Sequence, residues 1–115
     1  MKQWRTIINS PDAILWHDGK TILSVSLSAL RLFHVNHPSE LVDTPILDII
    51  DREFAELIKL RVQIIRQRPL NEVMPIIEYH FIRRDGTTFW AKSQTRRISK
   101  DIIESRLFHV VEDYG

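Results

Sequence analysis

Two runs of alternating side chains flank one Asp-Gly pair, and this pattern limits what the chain can fold into. Between residues 76 and 98, Ile77, Tyr79 and Phe81 recur at every second position before Asp85-Gly86, and Phe89, Ala91, Ser93 and Thr95 do so after it. A period of two belongs to a strand with one buried face. Asp-Gly between two such runs is a strong hairpin signal. Glycine accepts the positive φ of a tight turn, and aspartate can hydrogen-bond its own backbone there. Two antiparallel strands with a common inner face are expected, and the rest of the chain must be arranged on that floor.

The other elements follow from spacing and punctuation. Trp4, Ile7 and Ile8 lie at helical spacing ahead of Asn9-Ser10-Pro11, which predicts a short amphipathic helix within residues 1–10. Residues 13–17 read as a first strand that turns at Asp18-Gly19-Lys20 into a second over residues 21–25. Leu15 and His17 share one face of it, and Ile14 and Trp16 share the other. Ser26 is placed to cap a helix with Leu27, Leu30 and Phe33 as its buried stripe and Arg31 outside. Short helical turns are expected to start at Pro38 and at Pro45, the second capped by Thr44. Asp51 then caps a longer helix whose Phe54, Ile58, Val62 and Ile65 form one stripe, ending at Arg66 and Arg68 before Pro69. Residues 70–75 link to the hairpin. A last strand over residues 105–112 has Leu107, His109 and Val111 on one side and Phe108 and Val110 on the other.

The hairpin run Arg83-Arg84-Asp85-Gly86-Thr87-Thr88-Phe89-Trp90 resembles the Asp-Gly-Thr hairpin of PAS (sensory box) domains. Upstream, the stretch from Asn9 to Lys20 and the run Ser28-Ala29-Leu30-Arg31-Leu32-Phe33 resemble that family's opening strand and first helix, and the match runs in order from about Ile8 to Asp113. The resemblance implies an α+β fold: a five-stranded antiparallel sheet in the order 2-1-5-4-3, helices on one face, and the short N-terminal helix over the other face or against a second subunit. Residues 1–115 are then one sensor domain, with its core over residues 12–113. The family usually has asparagine at Ser26 and glycine at His34 and Asp43, so His34 and Asp43 are expected in turn conformations normally left to glycine.

Composition narrows the chemistry. With 115 residues, 43% hydrophobic and 27% charged, the chain suits a single folded domain rather than a disordered one. It has no run near the ~18 apolar residues of a membrane span and no signal-peptide pattern at Met1, so a cytoplasmic location is expected. Zero cysteines exclude disulfides, thiolate catalysis and cysteine zinc sites. Through the resemblance they also exclude the thiol–flavin adduct of LOV photosensors and the cysteine-linked chromophore of the yellow photoreceptors. Haem-binding relatives ligate iron from the long helix, and residues 52–68 contain no histidine, which disfavours haem.

No phosphate-binding glycine loop, nucleophile elbow or zinc motif is present, so neither a catalytic nor a metal site is assigned and enzymatic activity is not expected. His17 and His109 fall on adjacent strands facing one interior, where they could hold a ligand carboxylate, or a metal if a third ligand joined them, or serve as acid and base in a small α+β enzyme or binding cone. The alternative is that each is a core residue satisfied by a hydroxyl or a carbonyl. The candidate ligand pocket comprises His17, Tyr79, Phe81, Phe89, Ala91, Ser93, Thr95, His109 and Val111, a mixture that suits a small organic ligand or a closely packed core equally. Trp4, Ile8, Trp16, Trp90 and Phe108 form a candidate homodimer face. His80 is expected to point outward. The basic run Arg83, Arg84, Lys92, Arg96, Arg97 and Lys100 lacks interleaved exposed aromatics and a recognition helix, so a solvated outer face is favoured over a nucleic-acid partner. The implied role is an input module that shifts between two arrangements and passes the change through Glu112-Asp113 to an effector, such as a histidine kinase of a two-component system or a cyclic-dinucleotide enzyme.

Overall fold

The computed structural model describes residues 7–111. Their strands are β1 (Ala13–His17), β2 (Ile22–Val25), β3 (Ile77–Ile82), β4 (Thr88–Ser99) and β5 (Ile102–Val110), paired antiparallel in the order β2-β1-β5-β4-β3. Asp18-Gly19 and Asp85-Gly86 make the turns expected of them. Both glycines have positive φ, +93° and +90°, and Asp85 Oδ1 accepts from the Thr87 backbone N–H at 2.9 Å. β5 begins three residues earlier than the alternation indicated, because the turn after β4 passes through Lys100-Asp101 with no glycine to mark it.

Helices α1 (Leu27–Leu32) and α2 (Ala55–Ile65) pack on the inner face, with one-turn 3-10 segments at Pro38–Glu40, Ile46–Asp48 and Arg52–Phe54. Ser26 caps α1 and also joins it to the sheet. Its buried hydroxyl accepts from the N–H groups of Ala29 at 3.2 Å and Ile14 at 2.9 Å and donates to the Asp12 carbonyl at 2.7 Å. This anchor sets the helix rotation, so the buried stripe is Ser26, Ala29, Leu30 and Phe33, while Leu27 is 41% exposed rather than buried. Thr44 is not a cap: its carbonyl accepts from the Ile22 N–H at 2.9 Å, and the following turn begins at Pro45 without a side-chain bond. Asp51 does cap, accepting from the Glu53 N–H at 3.0 Å, but the first turn it opens is 3-10 before α2 proper.

α1 ends in a paired return in which the Val35 N–H reaches the Leu30 carbonyl and the His34 N–H reaches that of Arg31. Such a return requires a left-handed residue at its centre. His34 supplies it with φ 58°, and Asp43 does the same at its own turn with φ 70°. Both sheet edges are covered by irregular chain. Residues 43–46 bond along β2, and residues 49–51 bond along β3, through Asp51 N–H to the His80 carbonyl and Ile82 N–H to that of Ile49, each at 2.8 Å. Covered edges cannot recruit a stray strand.

On the outer face, Ile7 is helical and packs with Ile14, Trp16, Ile98 and Ile102, so the leading segment covers part of its own sheet. Trp4, Glu112 and Asp113 lie outside the described residues.

Candidate functional site

The inner face is occupied in two different ways along the strands. At one end, Phe33, Phe81 and Phe89 fill the space between α1 and β3–β4. Phe33 stands edge-on to both others, and Phe81 stacks on Phe89 with centroids 5.3 Å apart. Arg83 closes this end, its guanidinium 4.4 Å from the Phe89 ring centroid and its Nε donating to the Leu32 carbonyl. At the other end, β1, β4 and β5 present small hydroxyl residues to α2, and a cavity of about 60 Å³ remains. A water needs roughly 10–15 Å³, so the space takes about four to six water-sized groups.

The wall of this cavity is mostly aliphatic, with Ile46, Ile49, Ile50, Ile58, Val62 and Ile65 from the helical side. Its polar side is a connected string on the sheet. Ser93 Oγ lies 3.2 Å from Thr95 Oγ1, Thr95 Oγ1 lies 3.4 Å from Ser105 Oγ, and Ser105 Oγ lies 3.2 Å from His17 Nε2. The other ring nitrogen of His17, Nδ1, accepts from the Gly19 backbone N–H at 3.1 Å. That contact assigns the proton to Nε2, which donates to Ser105. Burial drives the His17 pKa from 6.5 down to about 4, with Asp18 pulling it up and Arg66 pushing it further down. The imidazole is therefore neutral at neutral pH. Burial also raises the Tyr79 phenol above its ordinary value, opposed by the Arg61 guanidinium.

α2 is held over the cavity from both sides. Arg66 Nη2 donates to the Asp18 carbonyl at 2.7 Å, and Arg61 Nη2 donates to the Pro75 carbonyl at 2.8 Å. The turn beneath α2 needs glycine, since a Cβ on Gly19 would lie 2.8 Å from Val62 Cγ1. Among the described residues, Arg61 is the single charged residue lining the cavity.

Of the residues predicted for the pocket, His17, Tyr79, Phe81, Ser93 and Thr95 line the cavity. Phe89 is buried in the aromatic end instead, and Ala91 is buried opposite Tyr79 without lining the cavity. His109 and Val111 are exposed, Val111 at 75%, and His109 meets only the edge of Phe89 in the ring contacts of this region. The predicted His17–His109 pair is not assembled. β1 pairs with β5 so that His17 lies opposite Ile103, whereas His109 lies opposite Ala91 of β4. Six residues of strand separate those two positions, roughly 20 Å. The two histidines share a face but not a site.

The candidate dimer face also divides. Trp16 is 6% exposed, and its Nε1 donates to Glu104 Oε1 at 3.2 Å, while Arg96 Nε donates to Glu104 Oε2 at 2.8 Å. Ile8 is half-buried, and Trp90 and Phe108 remain exposed at 38% and 44%. His80 points outward as expected. It stacks on Trp90 with centroids 4.6 Å apart, and its Nδ1 lies 3.1 Å from Asp51 Oδ2. Four of the six basic residues between 83 and 100 have partners within the chain: Arg83 and Arg84 at the carbonyls of Leu32 and Glu40, Arg96 at Glu104, and Arg97 at the Arg68 carbonyl.

No protein-family model matches the chain, and no curated protein matches it. Solved structures do. The PAS domain of an HTR-like protein from Haloarcula marismortui superposes with a TM-score of 0.76 at 20% identity, over 95% of this chain and 89% of that one. The chain has the PAS fold. The PAS domain of a LuxR-family transcriptional regulator from Burkholderia thailandensis, solved in complex with ethanol, gives 0.72 at 11% identity over 92% and 95% of the two chains. A domain of a sensory box sensor histidine kinase/response regulator from Geobacter sulfurreducens gives 0.72 at 12% over 92% and 90%.

Three residues of this PAS fold escaped the sequence reading, two of them in the cavity wall. Ser105 was placed at the start of its strand and carried no signal of its own, and Arg61 lies outside the helix stripe that periodicity picks out. Glu104, buried on the outer face, became legible only through its register with Trp16 on β1. Among the described residues, no group of three or more histidine, aspartate or glutamate side chains could hold a metal ion, and no helix is long and apolar enough to cross a membrane.

Proposed function

We propose that this PAS fold works as a single sensory domain, the input module of a larger signalling protein, and that its signal is a small, largely apolar molecule held between α2 and the hydroxyl string of β1, β4 and β5. The cavity carries this reading: a space of about 60 Å³ with an aliphatic roof and a polar floor. A ligand there would touch Ile58, Val62 and Ile65 of α2 on one side and Ser105 and Thr95 on the other. Its presence would favour one spacing of helix and sheet over another, and a ligand shifts an equilibrium only through such a difference in affinity. The similar Burkholderia domain holds ethanol, which is of the right size for this cavity.

The same reading puts a second copy of the chain against the exposed Trp90 and Phe108 of the outer face and sends the output through Glu112-Asp113 to an effector. Titration of the 15N-labelled protein with ethanol and then butan-1-ol tests the ligand site. Saturable shifts of the Ser105, Thr95, Ile58 and Val62 amides are expected, with the Phe33 and Phe89 amides unmoved. Shifts that are linear and spread over the whole surface would overturn it.

A further inference from the structure

The lining of the cavity is electrostatically one-sided, and this points to the class of ligand. Among the described residues that line it there is no aspartate or glutamate, and Arg61 is the single charged side chain. Arg61 is half-buried on α2 at the cavity margin, and its Nη2 donates to the Pro75 carbonyl at 2.8 Å. Among the described residues no carboxylate lies within ion-pair distance of it, whereas Arg68, Arg96 and Arg106 each pair with a carboxylate of the chain. The remaining polar groups add donors. The Tyr79 hydroxyl is one, and His17 is neutral and spends its one N–H on Ser105, which leaves the hydroxyl string with a surplus O–H. A half-buried guanidinium lacking a carboxylate partner, beside hydroxyl donors, is the chemistry that recognises a planar anion through paired hydrogen bonds.

Resting on the sensory reading above, we propose that the cavity selects a short-chain aliphatic carboxylate, with its carboxylate at Arg61 and Tyr79 and its hydrocarbon tail among Ile46, Ile58 and Val62. The space accommodates about four to six heavy atoms, which sets the length near that of propionate or butyrate. A neutral alcohol of the same length would fill the apolar part without using the guanidinium, and an amine would be repelled by it.

The test compares three probes of equal length on the whole chain: butyrate, butan-1-ol and butylamine, each titrated by 15N NMR at pH 7 and constant ionic strength. Butyrate is expected to bind at least fivefold more tightly than butan-1-ol, and butylamine not to saturate. Arg61→Gln is expected to bring butyrate down to the level of butan-1-ol measured on the same variant, and Arg61→Lys to retain part of the preference. Equal or weaker binding of butyrate than of butan-1-ol, or a preference that survives Arg61→Gln, overturns the carboxylate assignment and leaves the cavity as a neutral-ligand site. Failure of all three probes to saturate overturns the sensory cavity itself, and the carboxylate assignment with it.

Discussion

The two ends of the inner sheet face are built on the same strands and differ in side-chain volume. At the end nearest the β3–β4 turn, Phe81 and Phe89 face Phe33 of α1, and Phe33 and Phe81 are 1% and 2% exposed. At the other end, Ser93, Thr95 and Ser105 occupy the equivalent inward positions under Ile58, Val62 and Ile65 of α2. Exchanging phenylalanine for serine and threonine on one face opens a space and supplies hydrogen-bonding groups at once. The aromatic end is filled and gives stability, whereas the hydroxyl end is held together by a histidine-terminated string and two arginine struts, with room left over. A sheet that packed both ends alike would have no place for a ligand.

The difference can be broken from either side, and the largest effect belongs to the filled end. Phe33→Ala is expected to cost about 3–5 kcal/mol in a urea unfolding experiment, since it removes a ring that meets two others edge-on and leaves a void. A cost under about 1 kcal/mol would mean that the aromatic end is as loosely packed as the other. The next effect belongs to His17. Its folded pKa is depressed from 6.5 to about 4, so the unfolded chain binds the proton first as pH falls. Stability should be fully present above pH 6.5 and decline between 6.5 and about 4, by about 3 kcal/mol across the whole window. The carboxylates of Asp18 and Asp51, themselves held below their ordinary values, begin to contribute only near the acid end of that range. Unfolding curves of His17→Gln at the same pH values provide the reference, and the decline above pH 5 should be absent from them.

How much of this contrast could be read from residues alone differs between its parts. Periodicity placed Phe81, Phe89, Ser93 and Thr95 on one face, because a strand's inward positions are a local property. It placed His17 and His109 on that face too and then failed to separate them. Their distance depends on the β1–β5 register, and partners such as Trp16 and Glu104 stand 88 residues apart in sequence. The β4–β5 turn was missed for a local reason, since Lys100-Asp101 lacks a glycine to announce it. His34 and Asp43 were placed correctly in left-handed turns through the family resemblance, not through their own chemistry.

Two smaller changes sharpen the comparison. Thr95→Val keeps the shape of the hydroxyl end but breaks the string between Ser93 and Ser105. It should cost about 1 kcal/mol, with the loss in thermal unfolding accompanied by a change in the His17 Nε2 resonance. His34→Gly relieves a left-handed histidine immediately after Phe33 and removes only an exposed contact to Asp85, 3.8 Å away. A gain of up to about 1 kcal/mol is expected, without any change in binding at the hydroxyl end.

The central claim is that one end of the inner face is hollow and the other is full. A crystal structure determined under xenon pressure tests it most directly, since xenon occupies apolar space without needing a particular functional group. A xenon atom is expected between Ile58, Ile65 and the Ser105–Thr95 floor, with none among Phe33, Phe81 and Phe89. Xenon at the aromatic end, or an α2 seated directly on Ser93, Thr95 and Ser105 with no room for it, would contradict the account.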